Sequence, residues 1–250
     1  MTDALADKIA LVTGAGKNIG RQIALTLARD GATVIVNGRS DHVAVAAVVA
    51  EIEAAGGHAV AAMADVADPT ASAAMVDTAV AELGGLDIVV SNAGLRRQTP
   101  FVEMSVTEWR EILSVALDGA FHLCKAAVPH LIARGGGAIV GLSGISTHIG
   151  TPNRCHVSAS KAGLEGLMRA LAVELAPQGI RCNSVSPGAI DTVRGTSAGT
   201  LPSTMTDAGT PLGRKGRIEE IADTVRFLVG PEGGYITGQT IHVNGGAFLT

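Results

Sequence analysis

Short runs of β-branched and aliphatic residues alternate along the chain with longer alanine-rich stretches of helical period. Ile9 to Thr13 precedes Ile19 to Asp30, Thr33 to Val36 precedes Val43 to Ala55, Ala59 to Met63 precedes Thr70 to Leu83, and Leu86 to Val90 precedes Val106 to Ala133. Continuous apolar strands are buried on both faces, and a helix after each strand supplies the cover. The pattern continues through Ala138 to Leu142, the helix Ser158 to Ala176, Ile180 to Val185, Glu219 to Leu228 and Thr240 to Val243. It predicts an α/β fold: one doubly wound parallel sheet of about seven strands, with helices on both faces joined by right-handed crossovers. Between Pro187 and Arg217 the pattern lapses into glycine, threonine, serine and proline. Residues 187–217 therefore read as a lid segment on the substrate side. No internal repeat, charge run or linker divides the chain, so residues 1–250 read as a single domain.

Composition narrows the function classes. The 250 residues are 47% hydrophobic, 2% aromatic and 17% charged, with 32 glycines, which suits aliphatic layers joined by glycine turns. A net charge of -4 offers no electrostatic footprint for nucleic acid or an anionic membrane. The N-terminus, with Asp3 and Asp7 and a short apolar run, is unlike a signal peptide, and no stretch reaches the roughly 18 uncharged apolar residues of a membrane span. Cys124, Cys155 and Cys182 are odd in number and lack zinc-site spacing. They read as reduced thiols of a soluble cytoplasmic protein, with no metal implied.

The first candidate chemistry lies where the first strand meets the first helix. Thr13-Gly14-Ala15-Gly16-Lys17-Asn18-Ile19-Gly20 has the spacing GxGxxxG. Glycines there let a pyrophosphate approach backbone N–H groups at the positive end of a helix dipole. At the tip of the second strand, Asn37-Gly38-Arg39-Ser40 offers a cation where an NAD site usually has a carboxylate. Arg39, with Lys17 and Ser40, suits a 2′-phosphate and favours NADP(H) over NAD(H).

With these pieces in place the sequence resembles the short-chain dehydrogenase/reductase family along nearly its whole length. Further motifs carry the resemblance: Asp65-Val66, Ser91-Asn92-Ala93-Gly94, Ser158-Ala159-Ser160-Lys161-Ala162-Gly163, Asn183 to Gly188, and the stretch from Thr237-Gly238-Gln239 to Val243-Asn244-Gly245-Gly246. It implies a Rossmann fold in which Asp65 and Val66 contact adenine and Asn92, Ala93 and Gly94 back the cofactor. Pro187, Gly188, Ile190 and Thr192 would hold the nicotinamide end, and Lys161 its ribose. Asn18 departs from the family glycine, and its polar side chain could serve a phosphate.

The larger departures concern the proton machinery. Counting back from Lys161 places Val157 at the family's tyrosine, Gly144 at its serine and Ala116 at its asparagine; the chain's one tyrosine, Tyr235, lies far downstream. Val, Gly and Ala side chains cannot act as acid, base or oxyanion donor. Replacement proton donors are sought in His148 and His156, in an already cationic substrate, or in water. Ser143 and Ser146 flank the missing serine, though strand alternation argues against them. Arg96 and Arg97 beside Gly94 suggest a small, anionic substrate.

Three functions stay open at this point. The first is an NADP(H)-dependent oxidoreductase with an atypical site, reducing a small carbonyl, imine or activated alkene. The second is a non-redox lyase, isomerase or hydrolase with a histidine base, and the third is a non-catalytic NADP(H)-binding member. The apolar surface of the helices Val106 to Ala133 and Ser158 to Ala176 predicts a homotetramer or homodimer, with Gly245 to Thr250 taking part.

Overall fold

The computed structural model describes residues 3–193 and 210–250. Seven parallel strands form one sheet: β1 (Ile9–Val12), β2 (Thr33–Gly38), β3 (His58–Met63), β4 (Ile88–Ser91), β5 (Gly137–Leu142), β6 (Ile180–Pro187) and β7 (Thr240–Val243). Their spatial order is β3-β2-β1-β4-β5-β6-β7. The order reverses between β1 and β4, and crossovers leaving in opposite directions open a crevice at the carboxyl ends of those strands. Motifs at the ends of β1, β2 and β4 are thereby brought together.

Alternation along each strand divides the core into two layers. Ala10, Val12, Val34, Val36, Ile88 and Val90 pack on α1 (Asn18–Arg29), α2 (His42–Ala54) and α8 (Ile218–Val229). Ile9, Leu11, Ile35, Val89 and Ile139 face α3 (Pro69–Leu83), α5 (Gly119–Ala133) and α7 (Cys155–Leu175). Met75 and Met168 belong to this second layer, as their helical spacing suggests.

The long helix that the sequence predicts over 106–133 is three pieces. α4 (Val106–Leu113) runs into a π-turn at Ser114–Asp118 and then into α5. π-turns inside α-helices occur often at functional sites. Among the described residues this 28-residue run is the one helix long and apolar enough, by length and composition alone, to cross a membrane. Its buried face, including Ala120, Leu123, Ala127 and Leu131, packs against the sheet. A short α6 (Ser146–Ile149) follows β5 before α7 begins. Of the segment expected as a lid, residues 194–209 lie outside the described residues.

Candidate active site

The turn after β1 is shaped by backbone contacts that only glycine allows. Gly14 has φ +60°, and a Cβ on Gly20 would lie 2.4 Å from the Gly14 oxygen. α1 therefore approaches closely enough for its first N–H groups to face the crevice. Two polar side chains that sequence reasoning did not single out brace this turn. Thr13 Oγ1 accepts from the Asn92 and Ala93 N–H groups at 3.0 and 3.1 Å, stapling β1 to the end of β4. Asn37, 1% exposed, accepts from Gly14 N at 3.3 Å and donates to the Ala62 and Ala64 carbonyls at 3.0 and 3.2 Å. An asparagine inside one aliphatic strand and a threonine directly after another were the available signal.

The crevice is a cleft of about 360 Å³. Its walls include Gly14, Gly16, Lys17, Asn18, Ile19 and Gly20 from the turn, Arg39 and Ser40 after β2, Asp65 and Val66 after β3, and Asn92, Ala93 and Gly94 after β4. Asp41 also faces it, but its Oδ1 is engaged in capping α2 through Ala44 N at 3.0 Å. Asn18 adopts φ +50°, and its side chain exchanges two 2.9 Å hydrogen bonds with the backbone of Val193. Its amide thus clamps the segment after β6 over the cleft.

A second cavity of about 130 Å³ adjoins the first and shares with it Ile19, Asn92, Gly94, Leu95 and Arg96. Pro187, Gly188, Ile190 and Thr192 form one wall; Ser143, Gly144, Val157 and Lys161 form the other. Lys161 Nζ donates to the Leu142 carbonyl at 2.5 Å. Burial, with a smaller contribution from Arg96, pushes its ammonium down to about 8. Val157 is 6% exposed, one helical turn before Lys161. A Cβ on Gly144 would meet open space, and one on Gly94 would stand 4.0 Å from Ala116 Cβ.

Arg96, Arg154, Lys161 and Lys215 line this second cavity, and among its described lining residues there is no carboxylate. The two adjacent arginines part company here. Arg97 forms a two-pronged ion pair with Glu111 of α4, at 2.5 and 2.9 Å, and lines neither cavity.

The two histidines proposed as proton donors also stand back from the cavities. His156 is fully buried, with Nε2 3.1 Å from Glu108 Oε1. Its neighbour Val157 faces the pocket, and the helical rotation between adjacent residues turns His156 toward α4. His148 has Nε2 3.0 Å from Glu165 Oε1 and stacks on Phe248. Ser143, set aside on strand alternation, does reach the pocket wall, because β5 ends at Leu142 and the alternation stops with it.

The glycine cradle, the cations at the tip of β2 and the open cleft fit a dinucleotide, and comparison with known proteins agrees with this geometry. Residues 14–247 match the family described as "Enoyl-(Acyl carrier protein) reductase". The 3-oxoacyl-(acyl-carrier-protein) reductase FabG of Staphylococcus aureus is 41% identical over 97% of this chain and 98% of its own. A dehydrogenase/reductase from Sinorhizobium meliloti superposes with a TM-score of 0.91 at 36% identity, covering 99% of this chain and 98% of that one. A short-chain dehydrogenase from Burkholderia cenocepacia in complex with NADP gives a TM-score of 0.89 at 36% identity, covering 98% and 99%. The fold and cleft define a dinucleotide-binding α/β oxidoreductase. The chain belongs to the short-chain dehydrogenase/reductase family.

Proposed function

We propose that this protein is an NADP(H)-dependent oxidoreductase that acts on a small anionic carbonyl, imine or activated alkene without the family's tyrosine. One observation carries the reading: the dinucleotide cleft opens directly into a pocket lined by Arg96, Arg154, Lys161 and Lys215. NADPH supplies a hydride when bound. Gly14, Gly16, Lys17 and Asn18 would hold its pyrophosphate, Arg39 and Ser40 the 2′-phosphate, Asp65 and Val66 the adenine, and Lys161 the nicotinamide ribose. The NADP complex of the Burkholderia relative supports that assignment. The basic lining would draw a carboxylate or phosphate of the substrate to the pocket and hold it against the cofactor end. Among the described residues of the pocket wall there is no histidine to serve the non-redox reading as a base. In the family manner the chain would assemble as a homotetramer or homodimer; Phe121 of α5 and Val173 of α7 are exposed apolar side chains on the helices concerned.

The test is to titrate NADPH by fluorescence and then screen ketones, imines and enones, each with and without a carboxylate. NADPH consumption that favours the carboxylate-bearing partner of a pair is expected. Tight NADPH binding with no oxidation by any compound would overturn the oxidoreductase reading in favour of a non-catalytic member.

A further inference from the structure

Behind the pocket wall lies a buried acid that the family resemblance does not explain. Glu165 of α7 is 4% exposed, and its Oε1 meets three groups at once. Ser143 Oγ donates to it at 2.5 Å, Thr147 Oγ1 lies at 3.4 Å, and His148 Nε2 at 3.0 Å. Its other oxygen faces Arg169 Nη1 at 3.8 Å. Burying a carboxylate costs several kcal/mol unless donors surround it, as they do here. One of those donors, Ser143, lines the substrate pocket. The His148 ring, on the other side of the carboxylate, keeps 21% of its side chain in solvent.

We infer that Ser143, Glu165 and His148 form a proton relay from the substrate pocket to solvent, which stands in for the absent tyrosine. The inference rests on the oxidoreductase reading above. In the observed arrangement the Ser143 hydrogen points at Glu165, so its oxygen lone pairs are left to face the pocket. With His148 as its Nδ1–H tautomer, whose Nε2 is a bare acceptor, a substrate alcohol can pass its proton to Ser143 Oγ while Ser143 passes its own to Glu165 and Glu165 protonates that Nε2. In the reducing direction each transfer reverses. The carbonyl carbon gains a C–H bond and two electrons from the nicotinamide dinucleotide, and the C=O π bond breaks. The oxygen takes the Ser143 proton, Glu165 restores Ser143, His148 restores Glu165, and solvent restores His148. One hydride and one solvent proton convert C=O to CH–OH, which balances.

Ser143 is the catalytic residue of this scheme; Glu165 and His148 act through it. Among the described residues, the titratable groups against His148 are Glu165 from α7, whose other oxygen faces Arg169, and His242 from β7. Burial and the neighbouring His148 push His242 below the ordinary histidine range, and the two rings pack edge-on at 4.5 Å between centroids. Phe248 closes the other face of the His148 ring at 5.0 Å between centroids. The alternative is that Glu165 only braces α6 against α7.

Ser143→Ala, Ser143→Thr, Glu165→Gln and His148→Gln separate the two. A relay requires kcat to fall about 100-fold in Ser143→Ala with KM nearly unchanged, and to recover substantially in Ser143→Thr. It requires His148→Gln, at a partly exposed position, to lower kcat about tenfold and flatten its dependence on pH. NADPH affinity should be unchanged in all four. Independently of turnover, the proton NMR spectrum of the cofactor-free protein should hold a downfield imidazole N–H signal. Glu165→Gln should remove that signal and Ser143→Ala should displace it. If no substrate is found, the oxidoreductase reading fails while the NMR arm still reports on the relay. A signal that Ser143→Ala leaves in place, or an unchanged kcat in that variant, overturns the relay.

Discussion

Asn18 and Val193, 175 residues apart in sequence, exchange a reciprocal pair of hydrogen bonds across the mouth of the dinucleotide cleft. The asparagine can do so because it tolerates the left-handed backbone at the start of α1, where most side chains would be strained. The departure from the family glycine therefore supplies a latch as well as a turn.

Replacing Asn18 by Gly keeps the backbone and removes the latch; replacing it by Ala removes both. Each lost hydrogen bond contributes about 1 kcal/mol. NADPH affinity should fall about tenfold in Asn18→Gly and further in Asn18→Ala, as read by fluorescence titration. Equal affinities in wild type and Asn18→Gly would show that the latch has no part in holding the cofactor.

Arg39 stands exposed at the cleft beside Ser40, with the nearby Asp41 carboxylate tied to the cap of α2. Arg39→Asp should lower NADPH affinity at least tenfold, on the order of 1.4 kcal/mol, and spare or improve NADH. The reason is charge: a carboxylate repels the 2′-phosphate but accepts from a 2′-hydroxyl. The ratio of the two dissociation constants is the measurement, and an unchanged NADPH value would leave Lys17 as the cation to test.

Lys161 makes stability depend on pH. Its folded value near 8 lies below its unfolded value of 10.5, so between those limits the folded chain binds fewer protons than the unfolded one. Stability from this group thus rises as pH climbs from 8 to 10.5, and below pH 8 the buried charge costs on the order of 2 kcal/mol once solvent at its head is allowed for. The cofactor-free Lys161→Met variant should be the more stable protein at pH 7, with the gap closing toward pH 10.5. Urea midpoints across that range would show it; parallel pH profiles for the two proteins would contradict it.

Val157 and Gly144 occupy the pocket wall with room to spare at Gly144. Val157→Tyr with Gly144→Ser should add measurable ketone reduction, because a phenol one turn before Lys161 faces the same cofactor end. Ala116→Asn, on the far side of Gly94, completes the set. A triple variant that binds NADPH and reduces no carbonyl compound would tell against a pocket still shaped for hydride transfer.

Much of this was legible in the sequence because burial on both faces forces strands into short aliphatic runs. Gly14, Gly20 and Arg39 followed from position alone, since a parallel sheet puts the ends of β1 and β2 side by side. What escaped depended on contacts between distant residues. Nothing near Arg97 in the chain announces that Glu111 neutralises it while Arg96 stays at the pocket. Strand alternation argues against Ser143, yet that rule ceases to apply one residue earlier, and the four residues of α6 are too few to show a helical period. The Glu165 cluster could not be read at all, for its members come together only when α6 folds back on α7.

The π-turn at Ser114–Asp118 sets a rotational phase. Each α-helical residue turns the chain by about 100°, and a π-turn takes up one extra residue without passing that rotation on. Deleting one residue from this stretch would therefore let α4 and α5 join as a uniform helix with the stripe of Leu123, Ala127 and Leu131 still facing the sheet. What the deletion would remove is the local bulge that brings Ala116 beside Gly94, so the residue count between Trp109 and Leu123 shapes the site while leaving the core in phase.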